Sequence, residues 1–455
     1  MRAKWLTAAA SFSATVTVSS FAGAQYQVTD DPVLYWNQLM TSGTTALVGP
    51  PPVVARSAAM MNLAVYDAVN SSLGNPNAYY LPISTTGGDV RAAASQAAHD
   101  VLIYLNPGKT ADYDAALVAS LALIPDATAR DAGVATGTAY AGAIISARSG
   151  DGAATAGSTP YTPGSDPGDW VPTPPGNLPA ALPGWGDVTA FFPNSAQTSV
   201  GPPPALDSVE YANAYNEVMA IGAAGSLTRT ADQTEAAQFW AAAGGASWIT
   251  IGLGLASDEG MSTLESARLF ALLGAGISDA FVTVFGDKYE YNLWRPVTAI
   301  HEGDNDGNLL TVGDPSWTSL IVAPNHPSYY SAHGVADGTA GAILLGLIGD
   351  ESFCATFGGI QRCWNSIGDA SQEGADSRIW GGIHFPFDGA TGLQEGHEIG
   401  LFALTQLQPV PEPSTWLTML VGFGFIGWTF KRRRAPARYK PNLMLIRRPK
   451  TRPAS

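Results

Sequence analysis

The sequence predicts an all-α fold, and three observations carry that prediction. Apolar residues recur at three- and four-residue spacing over long stretches, alanine is concentrated between about residues 31 and 150, and two-residue alternation typical of strands is sparse. At 455 residues and 46% hydrophobic composition, the chain can bury a large core, as one domain or as two packed halves.

Taken in order, Ala55 to Val69, Arg91 to Leu105 and Ala111 to Leu123 each place apolar residues along one helical face. His99 rides on the second, where a lone histidine is more often a hydrogen-bonded structural residue than a ligand. Asp126 and Asp131 open a further helical run that ends near Arg148. Between 149 and 205 glycine and proline crowd the chain, and a connection that long reads as a functional or covering strap rather than a linker. Helical spacing resumes over 206–224 and 230–243. The strongest helix is expected from Met261 to Phe285, interrupted by Gly274 where another helix can approach closely, and it delivers the chain to Lys288. A last helix is expected from Thr391 to Leu407.

Both ends carry signals of a different kind. A basic start, an apolar run and Ala22-Gly23-Ala24 describe a secretory signal over residues 1–24. At the other end Pro411-Glu412-Pro413 precedes an apolar stretch from Trp416 to Phe430 and then Lys431 to Arg434, with a basic tail over 435–455. The apolar stretch is short for a full membrane span, and the basic cluster would hold its end on the cytoplasmic side. The segment 410–434 resembles the PEP-CTERM sorting signal of exported Gram-negative bacterial proteins. That resemblance implies transient membrane anchoring, processing by an exosortase-type enzyme, and delivery to the cell surface or extracellular matrix. The body between the signals is then 25–409.

Charge is distributed just as unevenly. Residues 25–430 hold 11 basic residues against all 38 acidic ones, so nucleic acid and anionic lipid are excluded as ligands of the body. Each internal cation is therefore informative, and three of them (Lys288, Arg295 and Arg378) fall in three short blocks. The blocks are Lys288 to Pro296, Pro327 to His333 and Ser377 to Asp388. Cys354 and Cys363 lack the spacing of a zinc site; they close a small disulfide loop or remain two buried thiols.

The blocks suit a tetrahedral oxyanion. Arg295 and Arg378 can each give forked hydrogen bonds to two oxygens, and Lys288 offers a compact point charge to a third. Of the two histidines, one must face the central atom with a neutral nitrogen. Asp388, four residues after His384, can accept from the near nitrogen and fix the tautomer, which makes His384 the candidate for that role. His333 is left as the general acid or base at the opposite face. His326, seven residues before His333, can reach the pocket rim in a halide or proton-relay role.

Lys-x6-Arg-Pro, Pro-Ser-x-x-Ser-x-His and Ser-Arg-x5-His-x3-Asp resemble the signature of the vanadium-dependent haloperoxidases and the related type 2 phosphatidic acid phosphatases. The likeness extends to Ala55-Arg-Ser-Ala-Ala-Met60, to Ala97-Ala-His99 and to Tyr291 through Ile300. It implies two four-helix bundles and a vanadate cofactor held by Lys288, Arg295, Ser331, the Ala332 amide, Arg378 and His384. His384 is the implied axial ligand on vanadium and His333 the acid–base residue, with Lys288 polarising bound peroxide. The implied partners are hydrogen peroxide, a halide and an organic acceptor, with a homo-oligomer left open. The same residues would serve a secreted acid phosphatase through a phosphohistidine, or survive in an inactive surface matrix protein. Ala332 stands where the pattern has Gly; if the site needed positive φ there, Ala would cost on the order of 1 kcal/mol.

Overall fold

The computed structural model describes residues 26–74, 80–193, 195 and 200–407, so the expected signals over 1–24 and 410–455 lie outside the described residues. Among the described residues there are thirteen α-helices and one two-stranded hairpin. The N-terminal group is α1 (Pro32–Thr41), α2 (Pro51–Ser72), α3 (Val90–Leu105), α4 (Thr110–Leu121) and α5 (Ala127–Arg148). After the strap come α6 (Val209–Ile221), α7 (Ala231–Ala243), α8 (Ser247–Asp258), α9 (Thr263–Tyr291) and α10 (Pro296–His301). The C-terminal group is α11 (Ala332–Leu347), β1 (Phe353–Phe357), β2 (Ile360–Trp364), α12 (Ile367–Trp380) and α13 (Pro386–Leu404).

Local chemistry starts these helices where the sequence offers side-chain acceptors. Asp89 receives the Ala92 amide at 3.0 Å, Asp126 receives those of Thr128 and Ala129, and Thr230/Gln233 and Ser262/Glu265 form reciprocal capping boxes. Helix α9 is apolar enough to cross a bilayer but is buried inside the protein. It packs against α2 on one side and against α11 and α13 on the other, and so joins the two helical groups. Gly274 makes the first contact possible, because a Cβ there would lie 2.9 Å from the Ala59 backbone.

The pairing of α11 with α13 positions the three blocks. A Cβ on Gly396 would fall 2.1 Å from the Val335 carbonyl oxygen, and Gly392 and Gly400 likewise approach Ser331 and Thr339. Contacts that advance together along both helices mean that they run parallel, with both N-termini at the same end. The Ser331 amide donates to the Asp388 carbonyl at 2.9 Å across that end.

Three expectations need correction. The helix read as Met261 to Phe285 runs on to Tyr291, so Lys288 belongs to α9 rather than following it. The helix read from Thr391 begins at Pro386, whose missing N–H suits a first turn, and Asp388 thereby sits in that turn. Residues 353–364, with no strand expected, form a hairpin that pairs Cys354 directly with Cys363 in a disulfide. The hairpin packs Trp364 against Phe239 and Trp240 of α7, so tertiary burial rather than alternation selects it.

The strap behaves as a cover. The Phe191 and Phe192 amides donate to buried Asp279 of α9 at 2.6 and 2.8 Å, the Trp170 amide donates to Asn292, and the Ala181 amide donates to Asn325. His99 is structural: its two ring nitrogens lie 2.8 Å from Asp100 and from Asp114.

Candidate functional site

The C-terminal turns of α9 carry Lys288 into the interior, where it has no exposed surface. Its ammonium donates to the Pro327 and Ser328 carbonyls at 3.1 and 2.7 Å and to that of Tyr330. All three protons therefore tie down the loop that leads into α11. Burial, and after it the nearby Arg295, lower the Lys288 pKa well below its usual value.

Arg295 caps α10 and is also fully buried. Its Nε donates to the His326 carbonyl at 2.8 Å, and its Nη1 to the Ile383 carbonyl at 2.8 Å. Nη1 also reaches His384 Nε2 at 3.0 Å, and Nη2 reaches His326 Nδ1 at 2.9 Å. Since an arginine only donates, each of those ring nitrogens is an acceptor. Burial first, then the charge of Arg295, hold both histidines well below their ordinary pKa, so both are neutral.

His384 is locked from the other side by Asp388. The Nδ1···Oδ2 distance is 2.8 Å, and the same oxygen accepts from Ser328 Oγ at 2.5 Å and the Phe385 amide at 3.1 Å. Burial pushes Asp388 up to about 6, opposed mainly by the Ser328 hydrogen bond and Lys288. With Asp388 ionised, the proton sits on Nδ1 and the lone pair on Nε2.

A cavity of about 310 Å³ opens beside these groups. Its polar lining is Ser247, His326, His333, Asp337, Arg378 and His384; Trp248, Ile277, Phe281, Ile321, Val322 and Ile383 supply apolar walls, and Ala332 reaches it at the start of α11. Arg378, at the end of α12, is steadied by Ser377 Oγ at 2.9 Å and the Ala237 carbonyl at 3.3 Å. Ala332 and His333 are the first two residues of α11, so their amides belong to the unsatisfied first turn, where the helix dipole favours an anion.

Of the residues singled out in the sequence, Ala332, His333, Arg378 and His384 line the cavity, with His326. Arg295 meets His384 at Nε2 and Asp388 meets it at Nδ1, and neither they nor Lys288 line the cavity. Ser331 Oγ accepts the Gly334 amide at 3.1 Å as the cap of α11. Ala332 requires no positive φ: it is absent from the left-handed residues and simply begins a helix.

The sequence reading missed Asp337. It lies four residues after His333, on the same face of α11 and 1% exposed, and it is the only acidic residue between Gly334 and Leu347. An isolated acid in an apolar helix was the available signal. Trp240 and Trp248 were also missed; Trp240 packs edge-on against His333 with ring centroids 5.7 Å apart.

The donor set fits a tetrahedral oxyanion. A neutral histidine nitrogen, a cavity-lining guanidinium and a helix N-terminus converge on one space, whereas the ammonium of Lys288 is already engaged.

Known proteins resemble this chain over the same region. Residues 268–412 match the VCPO second helical-bundle domain and therefore include all three blocks, while residues 409–434 match the PEP-CTERM protein-sorting motif. The vanadium chloroperoxidase of Curvularia inaequalis is 25% identical over 388 residues, covering 67% of this chain and 64% of the relative's length. The crystal structure of the first bacterial vanadium-dependent iodoperoxidase superposes with TM-score 0.71 at 24% identity, covering 84% of this chain and 96% of that one. A holo-type bacterial vanadium-dependent chloroperoxidase gives TM-score 0.64 at 17% identity, covering 85% and 96%. Residues 268–412 thus carry the second helical-bundle domain of the vanadium haloperoxidases, and residues 409–434 carry a PEP-CTERM sorting signal.

Proposed function

We propose that the protein is an exported vanadate-dependent haloperoxidase that uses hydrogen peroxide to oxidise a halide to hypohalous acid. The observation that carries this reading is the lock on His384, with Asp388 on Nδ1 and Arg295 on Nε2 in the place that a central atom would take. Such a lock keeps one imidazole neutral and correctly oriented inside a cationic site, as a ligand to a central atom requires.

In this reading vanadate is held by Arg295, Arg378, Ser331, the Ala332 amide and His384, and when bound it supplies the Lewis-acid chemistry that activates peroxide. His384 presents its Nε2 lone pair once Arg295 Nη1 turns from it to the anion. Arg295 and Arg378 neutralise the anion, and His333 holds or releases a proton at the cavity wall. Lys288 contributes its charge while fixing the Pro327 to Tyr330 loop, so peroxide polarisation by direct contact requires it to release one carbonyl. Residues 1–24 are proposed as the export signal, 25–409 as the catalytic body, 410–434 as the exosortase-processed segment and 435–455 as a basic tail. An organic acceptor would receive the oxidised halogen at the apolar wall.

The test is iodide and bromide oxidation by the purified full chain with orthovanadate and peroxide, beside hydrolysis of p-nitrophenyl phosphate without vanadate. Halide turnover that needs vanadate and is abolished by His384→Ala supports the reading. Phosphate release without halide turnover favours the phosphatase use of the site, and no turnover in either arm favours an inactive surface protein.

A further inference from the structure

The cavity wall contains two polar atoms without a hydrogen-bond partner. His333 Nε2 and Asp337 Oδ2 are both buried, neither has a hydrogen bond, and they face each other at 3.8 Å. Leaving a carboxylate oxygen unpaired at 1% exposure is costly, so its persistence calls for a reason.

The surroundings hold Asp337 in place while keeping that oxygen open. Trp248 Nε1 from α8 donates to Asp337 Oδ1 at 2.8 Å, which fixes the carboxyl plane. Gly374 of α12 leaves room at Oδ2, since a Cβ there would come within 2.3 Å of it. Trp240 of α7 packs edge-on against the His333 ring and is itself anchored by donating to Glu373 at 3.1 Å. Among the described residues, Arg378 of α12 is the one charged group acting on both members; α9 contributes only Ile277 and Phe281 to this cavity. The His333 side chain retains 22% exposure and lines the cavity, so its ring bridges Asp337 and the oxyanion space.

We propose that Asp337 is a positioning residue for His333, and that the two hold one proton that moves between them when an anion enters the cavity. In the ligand-free protein the proton rests on Asp337 Oδ2 and His333 is neutral. As an oxyanion seats, the Oδ2–H bond breaks and an Nε2–H bond forms. His333 becomes an imidazolium, with Nε2 directed to the Asp337 carboxylate and Nδ1–H available to the anion. No proton is exchanged with solvent, and the charge lost by the acid is gained by the base. Burial supports the starting state, since it pushes Asp337 up to about 8 and holds His333 well below its ordinary value.

This inference rests on the cavity being an oxyanion site. It is tested on the full chain by NMR titration of its labelled histidines, with His333 assigned through His333→Gln, in the absence of peroxide. With saturating orthovanadate, wild-type His333 should titrate about two pH units higher than without it, and Asp337→Asn should remove at least about one unit of that shift. Orthovanadate affinity should fall about tenfold in Asp337→Asn and recover in part in Asp337→Glu. A His333 shift in Asp337→Asn within about 0.3 unit of wild type, with orthovanadate still binding to both, overturns the pairing alone. Absence of orthovanadate binding to the wild type overturns the oxyanion site and the pairing together.

Discussion

Asp388→Ala is the perturbation that bears most directly on the site. Asp388 has no exposed surface, and one of its oxygens accepts from His384 Nδ1, Ser328 Oγ and the Phe385 amide. Truncation leaves three buried donors without an acceptor, at about 1–3 kcal/mol each, and removes the carboxylate beside Arg295 and Lys288. These costs overlap, so the expected loss of stability is about 3–5 kcal/mol, as for other broken buried charge networks. The effect on the ligand should be separable from this. Without Asp388 the His384 tautomer is fixed only by Arg295, and orthovanadate affinity should fall about 10–100-fold, the usual consequence of losing a carboxylate behind a ligand histidine. Asp388→Asn divides charge from geometry. An amide oxygen can replace Oδ2, and its NH₂ then takes the place of Oδ1, which has no partner here. It should therefore be milder in both respects. Urea unfolding gives the first quantity, and vanadium NMR titration of the folded protein the second. An Asp388→Ala protein that binds orthovanadate within about threefold of wild type would refute the tautomer lock.

Other consequences are simpler. Lys288→Met should destabilise the chain by about 2–4 kcal/mol, because three loop carbonyls lose their donor while the cost of a buried ammonium is relieved; unchanged urea stability would deny the carbonyl cage its role. Ala332→Gly should lower stability by up to about 1 kcal/mol and leave orthovanadate affinity unimproved, since residue 332 is helical; a gain in affinity would contradict this. Burial raises Asp67 and Asp279 to about 7, above their unfolded value, so their neutral forms favour the fold and that contribution is lost as pH rises from about 4 to about 7. Urea midpoints should therefore fall between pH 5 and pH 8, by less in Asp279→Asn, and a midpoint that rises over that interval would reverse the sign.

The helical body was legible because its signals are local. Acceptors such as Asp126 and Thr230 sit directly before apolar periodic runs, and nothing distant has to be known to read them. The three blocks were legible for a related reason: cations are scarce in the body, so their clustering required explanation. What stayed hidden depends on tertiary contacts. Nothing local shows that α9 continues past Phe285, because the carbonyls that receive the Lys288 ammonium lie about forty residues further on. The hairpin at 353–364 is selected by α7, whose aromatic face covers Trp364. Asp337 was readable as an acid out of place, but its meaning appears only once Trp248 and Gly374 are seen around it.

The parallel packing of α11 and α13 explains why so few cations suffice. Two helix N-termini, each with unsatisfied amides, are held at one end by glycines that let the backbones touch. Each contributes a partial positive charge, and Lys288, Arg295 and Arg378 stand around them with Asp388 as the near counter-charge. Burial first, and without an anion this excess after it, hold His326, His333 and His384 neutral. An oxyanion relieves the same repulsion and makes protonation of the cavity wall favourable again. Only His333 can respond in full, because His326 and His384 already receive Arg295 on a ring nitrogen, whereas His333 faces an acid with an unengaged oxygen. The proposed division of labour between the two block histidines would then follow from where Arg295 reaches, and that reach is set by the backbone carbonyls of His326 and Ile383.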